Sequence, residues 1–86
     1  MAEEPMQADA VPAPRRRVLK GVRLVFNQGR STMSGLLRDI SETGARVSVE
    51  NSLVIPDEVI LLFQDGSRKN CRVARRELRE LGLHFC

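Results

Sequence analysis

The chain contains no tryptophan and no tyrosine, and only three phenylalanines, one histidine and two cysteines among its 86 residues. Each scarcity excludes something. Binders of single-stranded nucleic acid stack bases on aromatic platforms. Here Phe26, Phe63 and Phe85 all fall on the core-facing side of the strands predicted below, which argues against RNA or DNA as a partner. His84 and two distant cysteines lack the ligand spacing of a zinc site. No serine or cysteine nucleophile is evidently paired with His84, so the residues favour a binding domain over an enzyme. Two cysteines are too few for the disulfide framework of a small secreted domain. Cys71 reads as a small core residue, and both thiols as reduced. No apolar run approaches the roughly 20 residues that span a bilayer. The first fourteen residues offer neither a basic leader nor an apolar stretch of the signal-peptide kind. A cytoplasmic location without membrane insertion is expected.

Those fourteen residues, MAEEPMQADAVPAP, hold no Lys or Arg, while Glu3, Glu4 and Asp9 make them acidic. They are rich in Ala and Pro and show no hydrophobic period, so residues 1–14 are expected to form a disordered tail. The domain is expected over residues 15–86. All fourteen basic residues lie in it against eight acids, so a chain of net charge +3 contains a domain of +6. That surplus favours an anionic partner. The length allows one domain. A chain of this size buries only about 60% of the surface its unfolded form exposes, which leaves little core from which to build a deep, dry cleft.

Beyond Leu19 the apolar residues recur with period two, as half-buried strands require. Val22, Leu24 and Phe26 share one face of a first strand, and Asn27-Gln28-Gly29-Arg30 reads as a turn. A second strand is expected over about 32–40, with Met33, Gly35 and Leu37 inward. Ala45, Val47 and Val49 mark the inner face of a third, and Val59, Leu61 and Phe63 that of a fourth. Asp65-Gly66 predicts a two-residue hairpin loop of type I′, with positive φ at both central residues. Cys71 and Val73 face inward on a fifth strand, Leu81, Leu83 and Phe85 on a sixth. The stretch ARRELREL over 74–81 is rich in helix formers, but strand, turn and strand suit its neighbours better. Arg68, Lys69, Arg72, Arg75, Arg76 and Arg79 are expected to face outward and discourage edge pairing. Six short strands at a spacing of about ten residues predict an all-β fold, a small six-stranded antiparallel barrel.

Two polar groups remain. Arg15-Arg16-Arg17-Val18-Leu19-Lys20 places guanidinium forks and an ammonium where tail meets domain. Such forks pair bidentately with phosphate oxygens or with the O6 and N7 edge of guanine, and stack on base planes. The plain alternative is a solvated charge run. Asp39-Ile40-Ser41-Glu42-Thr43-Gly44 lies between the second and third strands. Asp39 can accept from the N1–H and N2–H₂ edge of guanine, Ser41 can donate to a phosphate, and Gly44 permits a backbone conformation, or a close approach, that a Cβ would forbid. The alternative here is an ordinary turn in which Asp39 and Ser41 bond their own backbone.

Together the two groups resemble the signature of the PilZ family of cyclic di-GMP receptors, an RxxxR hook ahead of the first strand and a later (D/N)xSxxG turn. Asp39, Ser41 and Gly44 match the second motif in full. Arg16 and Lys20 match the first, with lysine in place of its second arginine. The resemblance covers Arg15 to Phe85 and implies a six-stranded barrel whose hook wraps cyclic di-GMP. It assigns guanine and phosphate to Arg16, with Lys20 as a weaker counterpart. Asp39 and Ser41 hold the ligand from the barrel face, Gly44 shapes the turn, and Arg15 and Arg17 flank the hook. No cofactor beyond the ligand is implied. The chain ends after the sixth strand, without the C-terminal helix of many members, so output is expected to pass through a separate effector protein. Lysine supplies charge without the planar fork. The loss of one bidentate contact is worth about 1–3 kcal/mol. That departure motivates a second expectation, an adaptor that contacts protein partners and no longer binds nucleotide.

Overall fold

A computed structural model describes residues 16–86; the expected tail over 1–14 and Arg15 lie outside the described residues. Six strands form in chain order: β1 Arg16–Phe26, β2 Ser31–Ile40, β3 Gly44–Val49, β4 Glu58–Leu62, β5 Arg68–Glu77 and β6 Glu80–Phe85. One turn of 3₁₀-helix, Ser52–Val54, precedes β4. The strands close into an antiparallel barrel in the order β1-β2-β3-β6-β5-β4, as the alternation predicts. Leu24, Val47, Leu61 and Leu81, each from a different strand, are fully buried at its centre. Phe26, Phe63 and Phe85 pack against this core. Segment 74–81 is strand, turn and strand, because Val73 and Leu81 each bury on the same core.

Three bulges break the alternation and decide what reaches the surface. The pairs Leu37–Val47 and Asp39–Arg46 leave Arg38 as an extra residue in β2. Strict alternation would carry Asp39 inward with Leu37; the bulge turns it to the outer layer with Arg46. Ala74 is the extra residue of β5, between the pairs Val73–Leu83 and Arg75–Gly82. Beyond it Arg76 stands opposite the buried Leu81 and turns inward, contrary to the outward position expected from sequence. Its guanidinium donates to the carbonyls of Ser52 and Ile55 and pairs with Asp57, tying the 3₁₀ turn to the barrel floor. The third bulge lies in β1 between Arg17 and Lys20.

Two local expectations need correction. The Asp65-Gly66 loop has three residues, not two: Gly66, at φ +92°, donates to Phe63, while Asp65 keeps negative φ and accepts from the Ser67 N–H and hydroxyl. These bonds pull the Asp65 carboxyl below its ordinary pKa. Paired positive φ occurs instead at Asn27 (54°) and Gln28 (59°) in the β1–β2 turn. The basic segment, expected ahead of the first strand, is itself strand: β1 begins at Arg16 and pairs with the end of β2.

Candidate functional site

Strand register sets one lateral row of residues around the outer wall. Arg17 of β1 stands opposite Asp39 of β2, Asp39 opposite Arg46 of β3, Arg46 opposite Gly82 of β6, and Gly82 opposite Arg75 of β5. Neighbouring strands lie about 4.8 Å apart, so the backbones of Arg46 and Arg75 stand about 10 Å apart on either side of Gly82. Gly82 supplies no side chain to the slot between them; even a Cβ there would lie 3.1 Å from the Cβ of Arg75. The groove over this row has a volume of about 510 Å³, with Thr43 and His84 at one end and Glu77 and Glu80 at the other. That is within the range of small-molecule sites.

The charges in this groove are paired. Arg46 donates through Nε to Asp39 Oδ2 at 2.8 Å, and its Nη2 is equally close. Its Nη1 lies 3.3 Å from Glu80 Oε2. Across the slot, Arg75 Nη2 meets Glu77 Oε2 at 3.2 Å. The Asp39 side chain is only 13% exposed, whereas Arg16 and Arg17 are exposed beside it.

The turn after β2 matches the compact polar loop expected. The Ser41 N–H donates to the Gly44 carbonyl at 2.8 Å, and the Ser41 hydroxyl accepts from the Thr43 N–H at 3.2 Å. Ser41 therefore bonds its own turn, as the plain reading has it, while Asp39 reaches across to a neighbouring strand. Gly44 meets its requirement through β6: a Cβ there would fall well under 3.0 Å from the Leu83 carbonyl oxygen. Its φ is not positive, so the need is for close approach rather than for left-handed backbone.

Lys20 lies apart from this group. It stands opposite inward-facing Leu37, at the open end of the barrel. There it lines a second depression of about 570 Å³ with Phe63, Gln64, Asp65, Ser67 and Lys69. The Lys69 ammonium sits 5.2 Å from the centre of the Phe85 ring. The β1 bulge thus separates the two ends of the basic segment: Arg17, a flanking residue by sequence, faces Asp39, and Lys20 does not. Sequence reasoning missed Arg46, Arg75 and Gly82 as groove residues, because their shared row depends on bulges that leave no mark in the pattern.

Among the described residues no group of His, Cys, Asp and Glu is placed to hold a metal ion, and no helix is long and apolar enough to cross a membrane. In comparisons with known proteins, the family model described as PilZ domain matches residues 13–86. No curated protein matches the chain.

Proposed function

The chain belongs to the PilZ domain family, whose members are binding and adaptor domains of cyclic di-GMP signalling rather than enzymes, and we propose that it binds cyclic di-GMP on the outer face of its barrel. The observation that carries this reading is the register pair of Arg17 and Asp39, which sets the basic segment beside the Asp39–Gly44 turn, with Asp39 lining the groove. Arg16 and Arg17 take the phosphates with their guanidinium forks. Asp39 accepts from a guanine edge, and Ser41 donates its hydroxyl, which in the free protein lies within reach of Gly44 and Thr43. Gly44 acts through the close β3–β6 approach, and Arg15, next in sequence to Arg16, adds charge. Lys20 contributes charge from the barrel mouth rather than a fork. Ligand binding reorganises the start of β1, and a separate effector protein reads the altered surface. Cyclic di-GMP is the ligand, with no further cofactor, and the setting is the bacterial cytoplasm.

Calorimetric titration of cyclic di-GMP into the wild-type protein, Arg17→Ala and Asp39→Ala tests this directly, with GTP as control. Selective binding that both substitutions weaken by tenfold or more, with unchanged far-UV circular dichroism, is expected. Binding indifferent to both would overturn the placement.

A second reading, an adaptor that does not bind nucleotide, draws on two observations. Lys20 is remote from the groove, and Asp39 already bonds Arg46. It predicts silence in the same titration at hundreds of micromolar ligand.

A further inference from the structure

The charged residues that line the groove are three carboxylates, Asp39, Glu77 and Glu80, and two guanidiniums, Arg46 and Arg75. The groove is therefore locally acidic, by one charge, on a domain whose residues 15–86 sum to +6. This is the reverse of what a pocket for bare phosphate needs. Each arginine has its own carboxylate: Arg75 meets Glu77 at 3.2 Å, and Arg46 bridges Asp39 at 2.8 Å and Glu80 at 3.3 Å. Neither Glu77 nor Glu80 belongs to the motifs that carry the family resemblance.

We infer that Glu77 and Glu80 are selectivity residues, which neutralise Arg75 and Arg46 in advance and so close the groove to simple phosphates. The inference rests on the proposed placement of cyclic di-GMP in this groove, and it names what the groove itself selects. A ligand offering only phosphate must displace a carboxylate from each arginine and then remain beside it. A guanine base brings N–H donors instead of charge, and carboxylates are the acceptors those donors favour. The work divides by position: Arg16 and Arg17 at the rim take phosphate, and the acidic slot above Gly82 takes base edges. Discrimination of this kind comes from a repulsive element built against the wrong ligand as much as from attraction to the right one.

Glu80 is 30% exposed and Glu77 55%, so solvent screens both. A carboxylate about 6 Å from a phosphate in a water-like dielectric changes affinity by roughly threefold, and two of them by about tenfold.

The test uses the full chain as wild type, Glu77→Gln, Glu80→Gln and the double variant, each checked for an unchanged melting profile. Inorganic pyrophosphate is titrated at low salt while the backbone amides of Arg46, Arg75 and Gly82 are followed by NMR. Little or no response at these amides is expected for the wild type, and a saturable response about tenfold stronger for the double variant, with the single variants between. A double variant that binds pyrophosphate no better than wild type overturns the inference. Cyclic di-GMP titrated into the same four proteins separates the two claims. If it fails to bind any of them while pyrophosphate binding rises as expected, the proposed ligand falls and the screening role of the two glutamates stands. If it binds and pyrophosphate does not respond to the substitutions, the ligand stands and the selectivity role falls.

Discussion

Replacing Gly44 by alanine separates what this residue does for the barrel from what it does for a ligand. The added methyl would fall well under 3.0 Å from the Leu83 carbonyl oxygen, a backbone atom that no rotamer change can move. Ordinary carbon contacts begin near 3.5 Å, so β3 and β6 must separate by on the order of 1 Å at this end. Two bonds stand in the way of that shift: the Phe85 N–H to the Thr43 carbonyl, and the Ser41 N–H to the Gly44 carbonyl, each 2.8 Å. Overpacking costs about 1–3 kcal/mol, and a weakened hydrogen bond adds about 1 kcal/mol. For a domain of this size each kcal/mol lowers the melting temperature by about 4–8 °C. Gly44→Ala should therefore melt roughly 10–30 °C below wild type when followed by far-UV circular dichroism without ligand. A variant that melts within 2 °C of wild type, yet fails to bind cyclic di-GMP, would refute the argument and place Gly44 at the ligand instead.

Arg76→Met leaves the Ser52 and Ile55 carbonyls without their charged donor and should cost about 2–4 kcal/mol in urea unfolding, whereas Arg79→Met on the exposed turn should cost under about 0.5 kcal/mol. Equal effects would remove the inward role assigned to Arg76. Burial pushes the Cys71 thiol up to about 11 from an ordinary 9.0, so the fold favours the protonated form. This stability is whole below pH 9 and is lost as pH rises towards 11, by about 2–3 kcal/mol, a decline that Cys71→Ala should lack. At pH 8 a thiol reagent should label the exposed Cys86 rapidly and the buried Cys71 only on unfolding; rapid reaction of both would contradict the burial. Lys20→Arg should change cyclic di-GMP affinity by less than about threefold, and a gain of tenfold or more would put Lys20 at the ligand.

The barrel itself was legible in the chain. Period-two alternation placed Leu24, Leu37, Val47, Leu61 and Leu83 inward because burial on one face is what a strand's geometry imposes on its sequence. The bulges were not legible, since an extra residue opposite one partner carries no composition of its own. What sequence reasoning misplaced about the surface follows from them: the inward turn of Arg76 and the separation of Arg17 from Lys20. The Asp65-Gly66 loop was misread for a different reason. Asp65 bonds Ser67 and keeps negative φ, a local choice that the dipeptide alone does not reveal. Gly82 drew no notice in the sequence because its importance is the space it leaves between Arg46 and Arg75.

Amide NMR of the full chain during titration with cyclic di-GMP tests the central claim most directly, because one series reports both affinity and place. Saturation at micromolar ligand is expected, with the largest shifts at Arg16, Arg17, Asp39, Ser41, Arg46 and Gly82, and smaller ones at Lys20 and Lys69. Shifts centred on the Lys20 depression, or no saturable change at hundreds of micromolar, would contradict that claim.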